Sequence, residues 1–359
     1  MTMMIRDGLT YDDVLLVPRH STVKSRSGVD TSVKWNSLFF RHPIVPANMS
    51  HVTGELMVPE IIESGGLAIL HRFMEPVKQL RIANEIVSAG GATHFAVSVG
   101  VKLSDREMVS SFHKAGVQLV CIDIAHGDSE HCVDMVKWIK DRYPGKFVIA
   151  GNVATGMGAQ RLWLAGADVV KVGVGPGSLC STRIETGNGV PQMTALMDVA
   201  NMRKTLLDPR QRYIQCHEDG THEEVPPKIE RPIYIMADGG IKSAGDIVKS
   251  LCFADMTMVG NLFAGCTETP GGRMMIDDVM YKEYAGSSTH KKNHVEGVAA
   301  LVRCTGDYYE VLTKLLEGLR SGMSYQGAHN LQELQEHPEF VRITNSGLVE
   351  SHPHNVLIK

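Results

Sequence analysis

No run of about 18 apolar residues occurs in the 359-residue chain, so an apolar membrane-spanning helix is not expected. Neither sign of charge dominates: 36 Lys and Arg stand against 40 Asp and Glu, and a formal net charge of −4 gives no basic field to hold a nucleic-acid backbone. No CxxC pair is present, and an odd seven cysteines scattered from Cys121 to Cys304 fit reduced thiols rather than a disulfide framework. No HExxH spacing marks a metal site, and no GxGxxG follows an N-terminal strand, so neither a metalloprotease nor a Rossmann dinucleotide domain is visible. There is no internal repeat and no low-complexity tract. The opening MTMMIRDGLTYDD turns acidic before an apolar export-signal core forms, and a soluble, cytoplasmic protein is expected.

What the chain has is alternation. With 43% hydrophobic residues it can bury a large core, and apolar runs rich in Val, Ile and Ala recur between segments with Glu, Lys and Arg on one face. Eight such runs read as strands: Pro43–Asn48, Gly66–Leu70, Phe95–Val99, Leu119–Ile124, Phe147–Gly151, Val169–Val172, Ile233–Ala237 and Met256–Val259. FVIAG and DVVKVG are nearly continuous apolar runs, as parallel strands covered on both faces should be. The expectation is one α/β domain, a (β/α)8 TIM barrel spanning residues 1–359 with its chemistry on the loops at the strand C-termini.

Two segments interrupt the alternation. Leu207–Arg231 is polar and Pro-containing, and reads as an inserted excursion, a hairpin by its pattern, on the side away from the active site. Residues 273–300, rich in Gly, Ser, Lys and His, follow the eighth strand on the catalytic side and read as a mobile flap.

The strand ends carry the candidate chemistry. Ala237–Gly240 (ADGG) and Val259–Gly265 (VGNLFAG) are glycine-bearing turns of the kind that hold a monophosphate through backbone N–H groups. Asp238 would repel a phosphate and suits ribose hydroxyls; phosphate and ribose together mean a nucleotide. The same residues would also serve as tight turns with Asp238 as a helix cap. The loop Gly173–Gln192 sets Cys180 among Gly, Ser and Thr with Arg183 three residues on, a setting for a nucleophilic thiolate. Cys121, inside LVCIDI, reads by contrast as a core cysteine. The loop glycines also free carbonyls to turn inward toward a monovalent cation.

The loop GPGSLCSTRIETGNGVPQ, together with ADGGIKSAGD and GNLFAGCTETPG, closely resembles the IMP dehydrogenase and GMP reductase superfamily, and the resemblance runs from LTYDDVLLVP to the C-terminus. Four features point to the reductase branch. No regulatory CBS modules interrupt HRFMEPVKQLRIANEIVSAGGATHFAVSVGV. Segments such as VPANM, LHRF, DIAHGDS and YKEYAGSS, with the Thr-Gly of RIETGNG, look like bacterial reductases. Only seven residues separate Ser288 from Glu296, without the Arg-Tyr pair that activates water in the dehydrogenases. KKNHVEG resembles the reductase segment whose Glu works with a threonine, here Glu296 and Thr182. Against this, GLRSGMSYQGAHNLQEL and FVRITNSGLVESHPHNV look more like dehydrogenases, and the excursion matches neither branch.

By this resemblance Cys180 attacks C2 of a purine nucleoside monophosphate, and Thr182 with Glu296 protonates the leaving amino group. GMP is expected on Ser178, Asp238, Gly239, Gly240, Gly260, Asn261, Gly286, Ser287 and Ser288, with Asn261 standing where a glycine is usual. NADPH is expected near Asp123, Ala125 and Gly127, with His71 and Arg72. The resemblance further implies a potassium-like ion on the carbonyls of Gly175, Gly177 and Cys180, and a homotetramer. An NAD-dependent IMP dehydrogenase without CBS modules, a relative acting on a modified purine nucleotide and a non-catalytic nucleotide binder are the alternatives.

Overall fold

The structure, a computed structural model, describes residues 5–208, 210, 213–216, 222–225, 229–286, 298–353 and 356. Eight parallel strands form its centre: β1 (Ile44–Pro46), β2 (Ala68–Leu70), β3 (Phe95–Val99), β4 (Leu119–Asp123), β5 (Phe147–Val153), β6 (Val169–Val172), β7 (Tyr234–Asp238) and β8 (Met256–Val259). Their hydrogen-bonded order is β1-β8-β7-β6-β5-β4-β3-β2. The free edges belong to the first two staves, which lie side by side and bring the sheet nearly to closure as a (β/α)8 barrel. The eight expected strands are all present, shorter at β1, β2 and β4, longer at β5 and displaced by one residue at β7. Branched side chains buried on both faces explain the continuous apolar runs: every residue of β1, β2, β3, β6 and β8 is buried.

The helices form by ordinary local chemistry. Tyr308–Tyr325 starts where Asp307 Oδ1 accepts the Glu310 N–H at 2.8 Å, and it buries Tyr308, Val311, Leu312, Leu315, Leu319 and Met323, one stripe at helical spacing. Gly322 on this helix lets the neighbouring helix Ala244–Leu251 approach; a Cβ there would lie 2.5 Å from Val248 Cγ2. Among the described residues no helix is long and apolar enough to cross a membrane.

The excursion contains an antiparallel hairpin, Tyr213–Cys216 with His222–Val225, in the connection from the helix Gln192–Leu207 to β7. A connection entering the N-terminal end of a barrel strand lies opposite the catalytic face. Of the segment expected to be a flap, residues 287–297 lie outside the described residues, and the described part supplies strands. Strands β9 (Arg273–Ile276), β10 (Val279–Ala285) and β11 (Ala299–Arg303) form a three-stranded antiparallel sheet, order β9-β10-β11. Asp277 and Asp278 turn the first hairpin, both in the left-handed region at φ 47° and 60°, as a two-residue type I′ loop requires. Composition hid this, because the alternation in RMMI and VMYKEYA is weak and the turn lacks a glycine.

Candidate functional site

The C-terminal ends of the barrel strands open onto a cleft of two adjoining cavities. One, of about 230 Å³, is bounded by Asn48, Arg72, Asp123, Asn152, Lys171 and Cys180. The other, of about 460 Å³, lies among Tyr11, Gln192, Gly239, Gly240, Gly260 and Asn261. Gly177, Ser178, Asp238 and Tyr284 line both, so the two are halves of one space.

Lys171, inside β6, stands at the centre. Its Nζ lies 2.8 Å from Asp123 Oδ1 on β4 and 2.6 Å from Asp238 Oδ2 on β7. Asn152 Nδ2 donates to the same Asp238 oxygen at 2.8 Å and to the Gly173 carbonyl at 2.7 Å. The pairing register of β5 and β6 shifts between Gly151 and Val153, and this bulge aims Asn152 into the site. Burial works against the Lys171 charge, but Asp123 and Asp238 overcome it and hold the ammonium above the ordinary lysine range. Burial likewise pushes Asp123 upward, and the ammonium, Arg72 and Asn48 outweigh it, leaving this carboxyl below its usual value. With Asp238 Oδ2 committed twice, Oδ1 is the oxygen that remains to accept from a ligand. Sequence reading missed Lys171; the signal was a charge inside the apolar run DVVKVG, which a buried strand carries only when it is paired.

The cysteine loop leaves β6 at Gly173, whose φ of 152° and close approach, with a would-be Cβ 1.9 Å from the Asp238 carbonyl, admit no other residue. Cys180 is exposed into the cleft, its N–H donates to the Gly177 carbonyl at 3.0 Å, and its Sγ donates to Thr182 Oγ1 at 3.2 Å. Arg183 braces the loop: its Nε donates to Val174 O at 3.3 Å and its terminal nitrogen to Val190 O at 2.6 Å. Gly239 and Gly240, at φ 94° and 81°, turn over Pro176 and Tyr11. Tyr284 OH, 3.5 Å from Ser178 Oγ, closes the same end of the cleft, and a Cβ on Gly260 would come within 2.9 Å of it. Burial raises the Tyr284 phenol, keeping it a neutral donor. Sequence reading also missed this tyrosine, because it lies in the stretch read as flap.

Cys180, Thr182, Ser178, Asp238, Gly239, Gly240, Gly260, Asn261 and Gly286 therefore share one cleft. Ser287, Ser288 and Glu296, and with them the pairing of Glu296 to Thr182, lie outside the described residues. Of the positions expected to hold a dinucleotide, Arg72, Asp123 and Ala125 line the Cys180 end. Arg72 lies over the Phe73 ring at 4.7 Å and donates to the Asp123 carbonyl, so a cation, an aromatic face and a carboxylate fit a ring and a charged arm. Gly127 and His71 do not line it. The Gly127 N–H donates to the Asn152 carbonyl and a Cβ there would meet the Gly151 backbone at 2.7 Å, while His71 is buried, accepts the Phe73 N–H at Nδ1 and is pushed down to about 4 by that burial.

Around the carbonyls of Gly175, Gly177 and Cys180, expected to hold a potassium-like ion, two contacts are in place. Gly177's accepts the Cys180 N–H, and the Arg183 side chain runs past Gly175, 2.5 Å from where its Cβ would be.

A family model described as "IMP dehydrogenase / GMP reductase domain" matches residues 8–354. A protein of Streptococcus pyogenes serotype M3 named GMP reductase is 35% identical over 348 residues, 94% of this chain and 95% of the relative. The GMP reductase of Oenococcus oeni is 37% identical over 332 residues, 90% of this chain and 94% of the relative.

Proposed function

The chain belongs to the IMP dehydrogenase / GMP reductase family, and from that premise we propose that it is a GMP reductase, converting GMP to IMP and ammonia at the expense of NADPH. The observation that carries the reading is the convergence on one cleft of an exposed Cys180 thiol bonded to Thr182, a carboxylate held by a buried lysine, and paired glycine turns. The glycine turns Gly239–Gly240 and Gly260–Asn261 receive the phosphate, and Asp238 Oδ1 accepts from the ribose hydroxyls. The purine then lies toward Cys180.

In the first step the Cys180 thiolate forms an S–C2 bond and the C2–N bond of the amino group breaks, the nitrogen leaving as ammonia with a proton from Glu296 relayed through Thr182. A Glu that must carry a proton near neutral pH needs a desolvated setting, so closure over the cleft is part of this reading. A bound NADPH supplies the hydride that C2 takes up. Cys180 then leaves C2 with the bonding electron pair, regenerating the thiolate. Arg72, Phe73 and Asp123 orient the hydride donor and exclude water from the covalent adduct. A homotetramer belongs to the same reading and is checked by sedimentation.

The test follows NADPH loss with GMP and NADH formation with IMP in parallel, in the native chain and in Cys180→Ala and Glu296→Gln. GMP-dependent NADPH oxidation that falls by at least about 1000-fold in Cys180→Ala supports the reductase. NADH formation from IMP instead makes the chain a dehydrogenase, and GMP binding indifferent to Cys180→Ala without turnover makes it a binder.

A further inference from the structure

Lys282 lies near the middle of β10, paired with Arg273 on one side and Val302 on the other, and is 1% exposed. Its Nζ donates to three main-chain carbonyls, Cys266 at 2.8 Å, Thr267 at 3.3 Å and Thr269. No carboxylate among the described residues forms an ion pair with it. The carbonyls belong to the loop that follows the short helix Asn261–Ala264, whose leading residues Gly260 and Asn261 form the turn at the phosphate end. Thr269 holds that loop closed, donating through its hydroxyl to Ala264 O at 3.0 Å and Cys266 O at 2.8 Å.

A buried ammonium without an ion-paired carboxylate is a poor choice for stability, since a Met or Leu would fill the same space without desolvating a charge. The sheet around it explains the choice. All four residues of β9 are exposed, β11 alternates between exposed and half-buried, and on β10 only Lys282, Tyr284 and Ala285 are buried. A sheet with so little covered apolar surface has a weakly specified register, and a one-residue slip turns every side chain to the other face. Slippage here would leave Lys282 in solvent, present Glu283 or Tyr281 to the carbonyls and withdraw Tyr284 from the cleft.

We propose that Lys282 is a positioning residue: its three carbonyl contacts pin the register of β10 and so hold Tyr284 between Ser178 and Gly260 at the nucleotide's phosphate end. The inference rests on the reading of the cleft as a GMP site. The pin reaches the cleft within one strand repeat, because residues 282 and 284 share a face and the strand continues into Gly286, which also lines it.

The test is Lys282→Met in the full chain, with Lys282→Gln, which keeps one donor, as the second variant should the first not accumulate in folded form. Three readouts are compared with the native chain: amide hydrogen exchange over 279–286, the KM for GMP against kcat, and the rate of Cys180 alkylation by iodoacetamide. The expected result is exchange over β10 faster by about tenfold or more, a KM for GMP raised by a similar factor, and alkylation within about twofold of native. Native exchange across β10 in both variants overturns the inference, as does a raised KM without any change in exchange. The exchange arm needs no nucleotide, so if the native chain does not bind GMP the assigned function falls while the register claim is still decided.

Discussion

Two buried lysines, Lys171 in the barrel and Lys282 in the appended sheet, are 2% and 1% exposed and solve the cost of burial in opposite ways. Lys171 is paired with two carboxylates, Lys282 with three carbonyl dipoles. The barrel does not need a lysine for register, because β6 is buried on both faces and its neighbours fix it. What Lys171 adds is charge, which keeps the Asp123 carboxyl below its usual value and ties Asp238 to the same nitrogen at the floor of the cleft. What Lys282 adds is geometry, in a sheet with almost no core of its own. The same residue type thus serves electrostatics where the fold is over-determined and alignment where it is not.

The largest effect that can break this contrast is Lys171→Met. Removing the shared cation leaves two half-buried carboxylates facing each other, and a destabilisation of about 3–5 kcal/mol is expected from the denaturant midpoint, with GMP binding lost in the same variant. A loss below about 1 kcal/mol would mean that the pair is solvated and that Lys171 is not what holds it. The corresponding loss in Lys282→Met should be smaller, about 1–3 kcal/mol, since neutral carbonyls rather than charges are left without their donor.

Acid separates the two lysines, because carboxylates titrate and carbonyls do not. Asp123 has its folded value below its unfolded one, so its stabilisation is complete above about pH 4 and is lost as the pH falls through the folded value. In Lys171→Met Asp123 loses its cation and is relieved by protonation, so the stability gap to the native chain should shrink as the pH falls from 7 toward 4. The gap for Lys282→Met should stay constant over the same range. Both comparisons share a background from His42 and His71, which burial pushes down to about 4. The unfolded chain binds protons there first, so folding weakens from about pH 6.5 down to 4, by up to about 3 kcal/mol for each histidine. Denaturant titrations at several pH values read all three slopes, and a Lys171→Met gap that widens in acid would refute the assignment.

The division between over-determined and under-determined regions also explains what could be read from sequence. The eight staves were legible because parallel strands buried on both faces write their position as runs such as FVIAG, and the loops after them announced Cys180, Asp238 and the glycine turns. Lys171 was overlooked because its run still reads as apolar with one exception. Only the fold brings Asp123, some fifty residues earlier, and Asp238, some seventy later, to the same nitrogen. The flap sheet was read as irregular because its order rests on a turn of two aspartates and one buried lysine rather than on a hydrophobic period. His71 and Gly127 were placed near the cofactor by family likeness alone; in the structure His71 is buried and Gly127 sits against the Gly151 backbone.

The smallest expected effect concerns the hairpin, which belongs to neither end of this contrast. The chain after it re-enters the barrel firmly: Arg231 donates to Trp163 O at 3.0 Å and Ala167 O at 2.8 Å and pairs with Asp168 at 3.4 Å, closing the end of the barrel opposite the cleft. Those contacts begin beyond residue 228. Replacing residues 209–228 by a short Gly-Ser linker while keeping Ile229–Arg231 should therefore change kcat/KM for GMP by less than about twofold and stability by less than about 1 kcal/mol, since shortening a surface loop alters only its closure entropy. A tenfold fall in activity with unchanged stability would show that the far end of the barrel communicates with the cleft, and β6, which carries Lys171 and pairs directly with β7, would be the element to suspect. An unchanged rate would confine the chemistry to the strand ends, where the buried charge lies.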